Sequence, residues 1–102
     1  MHVTWHLYVI RTVGSHLYAG ITTDVRRRYQ EHASGSQKAA RFLRANPPQQ
    51  LALTRRIGSH SLALKVEYRF KQLSKQTKEK IVALGKFRLD RKTGEIRVCN
   101  AT

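Results

Sequence analysis

Apolar positions along this chain change their period several times, and each change marks an element. Trp5 to Thr12 (WHLYVIRT) alternates loosely and is rich in aromatic and branched residues, which predicts a strand. Val13-Gly14-Ser15 supplies a turn, and His16 to Thr22 predicts the return strand of a hairpin. Asp24 is placed to cap a helix, because its carboxylate can accept the unpaired amides of a first turn. At about 100° per residue, Val25, Arg28, Tyr29 and His32 share one arc of that helix, and Arg26, Arg27, Gln30 and Glu31 the other. The helix is expected to end near Ala33-Ser34-Gly35, glycine being suited to the exit. Ser36 then predicts the cap of a short second helix, Gln37 to Arg44, stopped by Asn46-Pro47-Pro48. Leu51 to Ile57 (LALTRRI) predicts a third strand, closed by Gly58-Ser59. The clearest helix begins at Ser61: Leu62, Ala63, Val66, Phe70 and Leu73 form one apolar arc, with Glu67 just beyond its edge. Ser74 predicts the cap of a last helix, Lys75 to Leu84, ended by Gly85. One domain is expected over residues 1–86, with 87–102 a tail or a loose hairpin around Thr93-Gly94.

The hairpin leaves two registers open. Gly14-Ser15 suits a two-residue turn, which pairs Val13 with His16 and puts Tyr8 and Tyr18 on opposite faces. A three-residue loop or a bulge pairs Thr12 with His16, brings Tyr8 opposite Gly20, and puts both tyrosines on one face. Local turn chemistry favours the first. Gly20 is itself conspicuous, because a glycine inside a strand weakens pairing unless a bulge or a closely approaching ligand requires it.

Composition bears on partners more than on fold. In 102 residues there are 20 Lys and Arg against 6 Asp and Glu, a formal charge of +14. Self-repulsion of that size opposes compaction and points to a polyanionic partner, nucleic acid first, with a ribosomal or membrane-surface role as the plainer alternative. The single cysteine, Cys99, excludes an internal disulfide and a multi-cysteine zinc site. No apolar run approaches the roughly 20 residues of a membrane span. The amino terminus lacks the pattern of a secretion signal, so a cytoplasmic location is the expectation.

Few residues suggest chemistry singly. Glu67 is the only acidic residue between Glu31 and Glu79, and it borders a buried face in a strongly basic chain. It reads either as a surface carboxylate paired with Lys71 or Arg69, or as the ligand of a hard cation. Arg28 stands apart from Arg26 and Arg27 because it shares the inward arc. Tyr29, at the centre of that arc, reads as packing. His2, His6, His16 and His60 have no metal-ligand spacing, and there is no glycine-rich phosphate loop or zinc-protease helix.

Together these positions resemble the GIY-YIG nuclease superfamily, in particular its small stand-alone bacterial branch. Leu7-Tyr8-Val9 is similar to the first half of the signature and Tyr18-Ala19-Gly20 to the second. Arg28 lies ten residues after Tyr18, where the family keeps its catalytic arginine, and His32 follows where many members have a histidine. Glu67 matches the metal-binding glutamate, and the segments Lys38 to Arg44 and Ser61 to Ile81 are like those of the small branch. The glycine of the first half is replaced here by His6. Ile21 stands where repair nucleases of the family carry a lysine.

The resemblance implies an α+β fold with a small central three-stranded antiparallel sheet flanked by helices, in the order β-β-α-α-β-α-α. It also implies the register that puts both tyrosines on one face. For function it implies a metal-dependent DNA endonuclease, structure-selective and acting in repair or recombination. Tyr8, Tyr18, Arg28 and His32 would be catalytic, Glu67 would hold Mg²⁺ (or Mn²⁺ in its place), and Gly20 would be structural at the site. The basic residues Lys38, Arg41, Arg44, Arg55, Arg56 and Lys71 would track the backbone of DNA, RNA not being excluded. No membrane partner is expected, and the oligomeric state is left open between monomer and weak homodimer. The alternative is a noncatalytic nucleic-acid-binding module that retains the fold.

Overall fold

In a computed structural model that describes residues 3–99, a three-stranded antiparallel sheet carries helices on both faces. The strands are β1 (Trp5–Thr12), β2 (Leu17–Thr22) and β3 (Pro48–Gly58), in the spatial order β2-β1-β3. β1 is central because its alternate residues are buried on both sides of the sheet. Leu7 and Val9 enter one core; Tyr8 and Ile10 enter the other.

The hairpin adopts the three-residue loop. Thr12 N–H donates to the His16 carbonyl at 2.9 Å, Tyr8 lies opposite Gly20, and Ile10 lies opposite Tyr18. Both tyrosines therefore stand on one face, against the local preference for a two-residue turn. Burial decides it. A slip of one residue would turn Ala19 out of the core that holds Leu7 and Val9, and would put Tyr18 in its place. The loop accommodates this by taking left-handed backbone at Gly14 (φ 91°) and at Ser15 (φ 65°).

On the Leu7–Val9 side lie α3 (His60–Gln72) and α4 (Lys75–Leu84), which contribute Ala63, Val66, Phe70 and Ile81 to the main core. Their starts are set by serines: Ser59 Oγ accepts the Leu62 N–H, and Ser74 Oγ accepts the Thr77 N–H, each at 3.1 Å. The first of these caps lies two residues before the expected start at Ser61. Gly85 closes α4 in the left-handed conformation, φ 73°. On the opposite face α1 (Val25–Ala33) is capped by Asp24, whose carboxylate accepts the Arg27 N–H at 3.0 Å. α2 follows at Arg41–Ala45 and buries Leu43 against Tyr8 and Ile10.

Two expectations are corrected here. The second helix starts at Arg41 rather than Gln37, and Ser36 does not cap it; Ser36 Oγ accepts the Lys38 N–H in a tight turn instead. Residues 37–40 are drawn out of helical form because Ala40 takes extended backbone and gives its N–H to a histidine side chain. Lys38 thus lies in the turn before the second helix, off the helix that carries Arg41 and Arg44. The third strand is also longer than Leu51–Ile57, since three register shifts against β1 let its eleven residues follow an eight-residue partner. Pro48 is tolerated at its start because β3 is an edge strand.

Beyond α4, Phe87 is only 3% exposed and belongs to the main core. A small hairpin then forms from β4 (Arg88–Leu89) and β5 (Ile96–Arg97), turning through Thr93-Gly94. Arg91 ties it to the sheet by donating to the Ile57 carbonyl at 2.6 Å.

Candidate active site

Tyr8 is the centre of the site and is almost fully buried, 2% exposed. Its hydroxyl lies 3.0 Å from Nε2 of His32, itself 1% exposed on the inner arc of α1. The other nitrogen of His32, Nδ1, accepts the Ala40 N–H at 3.1 Å. An amide can only donate, so Nδ1 is the unprotonated nitrogen and Nε2 carries the proton. Nε2–H therefore donates to the Tyr8 oxygen, and the Tyr8 proton is directed elsewhere. His32 has no free lone pair in this arrangement. It is a holder of Tyr8, not a base.

Gly20 explains how so large a ring fits. A β-carbon there would come within 2.6 Å of Tyr8 Cζ, so the close approach that its position in β2 suggested is made by a tyrosine of the neighbouring strand. Tyr18 completes the aromatic group, its ring centroid 6.5 Å from that of Tyr8 and 5.7 Å edge-on from that of His32. Unlike Tyr8 it is only half-buried.

The electrostatics follow from this burial. Burial first, and the neighbouring Tyr18 phenol second, push the Tyr8 hydroxyl up to about 12, against the opposing pull of Arg28; the Glu67 carboxylate adds a smaller upward push. Burial first, and the Arg28 charge second, bring His32 down to about 4, with Glu31 opposing. Arg28 is held in place by Glu31 Oε1 at 3.1 Å and by the Lys38 carbonyl at 2.7 Å. The turn at 37–40 thus orients two site residues through backbone groups, Arg28 through the Lys38 carbonyl and His32 through the Ala40 amide. Such a role leaves no mark on residue type, so no spacing in the sequence could reveal it.

Glu67 sits on α3 with a side chain 23% exposed, and its carboxylate meets the Lys71 ammonium at 3.4 Å. Lys71 in turn lines a groove with Tyr18 and Ala19. No group of three or more His, Cys, Asp or Glu residues able to hold a metal occurs among the described residues, whereas His2 lies outside them. A single partly exposed carboxylate could give a divalent ion such as Mg²⁺ one ligand, water and phosphate oxygens completing the shell.

The basic residues divide. Lys38, Arg41, Arg44, Arg56 and Lys71 are exposed. Arg55 does not join them. It pairs with Leu7 in the sheet, on the side away from the tyrosines, donates to the Phe87 carbonyl at 2.6 Å, and lies 4.9 Å over the Phe87 ring. Lys75 and Lys78 were missed, although their spacing of three on α4 could have disclosed them; with Leu17 and Phe42 they line a groove beside Tyr18.

The GIY-YIG catalytic domain family matches residues 4–80, which include Tyr8, Tyr18, Arg28, His32 and Glu67. This chain belongs to the GIY-YIG family. It is similar to the UPF0213 protein YhbQ of Escherichia coli O8 (strain IAI1), with 54% identity over 81 residues that cover 79% of each chain. A UPF0213 protein of Klebsiella pneumoniae is 53% identical over 81 residues, covering 79% of this chain and 74% of the relative. Among solved structures, the solution structure of UPF0213 protein BH0048 from Bacillus halodurans superposes with a TM-score of 0.51 at 37% identity, covering 79% of this chain and 84% of that one. The α+β sheet-and-helix architecture is thus that of the GIY-YIG fold. No helix among the described residues is long and apolar enough to cross a membrane.

Proposed function

We propose that this protein is a divalent-metal-dependent endonuclease that hydrolyses phosphodiester bonds in DNA, selecting for structure rather than sequence. The observation that carries the reading is the buried Tyr8 hydroxyl, held by His32 Nε2–H at 3.0 Å and bordered by Tyr18 and Arg28, in a chain of charge +14. A buried, fully oriented phenol contributes nothing to packing that phenylalanine would not.

Tyr18, the more exposed phenol, orients the attacking water and accepts its proton in a hydrogen-bonded relay toward solvent. Tyr8, with a pKa near 12, stays protonated, and its directed O–H donates to the water or to a phosphate oxygen. Arg28 supplies aimed donors where negative charge builds on the phosphoryl oxygens. Water oxygen bonds to phosphorus as the bond to the leaving sugar oxygen breaks. Glu67 would hold Mg²⁺, or Mn²⁺ in its place, and such an ion when bound supplies charge stabilisation toward that leaving oxygen. Exposed Lys38, Arg41, Arg44 and Arg56 attract the backbone without reading bases. Cutting of this kind suits repair or recombination.

The test uses the purified full chain with plasmid, nicked, branched and single-stranded DNA, with and without Mg²⁺, beside Glu67→Gln and Arg28→Ala; RNA is a parallel arm. Both variants are expected to lose about 10²-fold or more in rate while keeping affinity within a few-fold. Binding with no Mg²⁺-dependent, Glu67-dependent cleavage on any substrate would overturn the reading in favour of a noncatalytic binding module.

A further inference from the structure

Phe42 is 41% exposed, an unusual state for a phenylalanine beside a buried aromatic site. It is not loosely placed. Its neighbour Leu43 is 1% exposed and anchors α2, and the Phe42 ring stacks on Tyr18 with centroids 6.1 Å apart and planes at 14°. The His16 ring meets it edge-on at 5.8 Å. Tyr18 and Phe42 thus form a short stack that begins at a site tyrosine and ends in solvent.

Around that stack the surface is cationic. One groove of about 270 Å³ is lined by Leu17, Tyr18, Ala19, Phe42, Phe70, Lys71 and Lys78. A second, of about 170 Å³, runs past His16, Phe42, Lys75 and Lys78. The two meet at Leu17, Phe42 and Lys78. Among the described residues neither Lys75 nor Lys78 forms an ion pair, so both ammonium groups are available to an outside anion. An exposed ring flanked by unpaired lysines fits a ligand with one flat apolar face and charges on either side. An apolar protein segment would leave those lysines uncompensated.

We propose that Phe42 is a stacking platform for one unpaired nucleobase, with Lys75 and Lys78 holding the adjoining phosphates. This rests on the nuclease reading of the Tyr8–Tyr18 site and names its substrate class: a strand that is single-stranded, or has an extruded base, next to the bond that is cut. A fully paired duplex buries the π-faces of its bases between neighbours and offers none to Phe42. Base–aromatic stacking tolerates any base, so the platform selects for unpairing and not for sequence.

The experiment measures binding of the full-length protein in EDTA, where no cleavage interferes, to labelled 20-residue oligonucleotides. The oligonucleotides are single-stranded, duplex, and single-stranded with abasic positions, as DNA and as RNA. Wild type is expected to bind at least one type of single strand more tightly than its duplex. Phe42→Ala should lose about tenfold to a hundredfold on that strand, and less than about twofold on the duplex and the abasic strand. Phe42→Trp should keep the affinity, with its added indole fluorescence quenched on binding. Phe42→Leu, which still covers Tyr18 but cannot stack, should behave as Phe42→Ala. Lys75→Gln and Lys78→Gln should each flatten the salt dependence on the single strand. Equal losses on single strand and duplex, or full affinity in Phe42→Leu, would overturn the platform. Because the readout is binding without metal, it can succeed where cleavage fails, and the reverse.

Discussion

The Tyr8 ring rests on Gly20: a β-carbon added to Gly20 would lie 2.6 Å from Tyr8 Cζ. The two residues face each other directly across the β1–β2 ladder, so neither can move without breaking the pairing. Tyr8 is pinned a second time by His32. Gly20→Ala should therefore cost about 1–3 kcal/mol by overpacking, and it should reduce cleavage as much as Tyr8→Phe does. Urea denaturation and plasmid cleavage measure the two effects. A fully active, fully stable Gly20→Ala would show that Tyr8 need not occupy its observed place.

His32 makes stability depend on pH. In the folded protein it stays neutral down to about pH 4, whereas its ordinary value is 6.5. Between these values the unfolded chain binds more protons than the folded one, so stability rises with pH. The contribution is complete above about pH 6.5 and is lost as pH falls toward 4, a change of about 3 kcal/mol. Unfolding by urea at successive pH values should trace that slope, and His32→Gln should flatten it.

Arg11 and Glu79 form a two-pronged ion pair at 2.6 and 2.7 Å that ties the end of β1 to α4. Their side chains are 20% and 33% exposed, so the pair is partly shielded from water. The Arg11 hydrogen bonds hold the Glu79 carboxyl below its usual value, so its stabilisation is present at neutral pH and fades as pH falls through the carboxylate range. Glu79→Gln should cost about 1 kcal/mol at pH 7 and much less at pH 3, with no change in nuclease rate. Thermal melts at the two pH values provide the comparison.

Arg55 and the α2 arginines should separate in their effects. Arg55 is spent on Phe87, so Arg55→Met should lower the melting temperature by several degrees while leaving the salt dependence of DNA binding as it was. Exposed Arg41 and Arg44 should do the opposite. Each change to Ala should reduce the salt slope by about 0.7–0.9 for every phosphate that the arginine neutralises, with the melt unmoved. Titrations at several salt concentrations decide it.

Much of the fold was legible because its signals are local. Asp24 and Ser74 cap the helices they were expected to cap, Gly85 ends α4, and the apolar arc of α3 is buried at Ala63, Val66 and Phe70. What the local pattern does not show depends on distant partners. The helix expected from Gln37 gives way because Ala40 is needed by His32, eight residues earlier. Arg55, one more cation in a basic chain, is claimed by a carbonyl 32 residues away. Taken by its own neighbours, Gly20 was an anomaly in a strand, since the ring that packs on it belongs to another strand.

By itself, the sequence determined the alternation that makes β1 a two-faced central strand, the helix starts at Asp24 and Ser74, and the charge that calls for a polyanion. Each of these depends on neighbours within a turn or on a sum over the chain. Tertiary structure alone decided the protonated nitrogen of His32 and the exposure of the Phe42 ring beside Tyr18, and it overrode the local turn preference in the hairpin, giving the register that the family resemblance implied. Those depend on which groups compete for one buried volume or one lone pair, and that competition exists only once the sheet and both helical layers have closed.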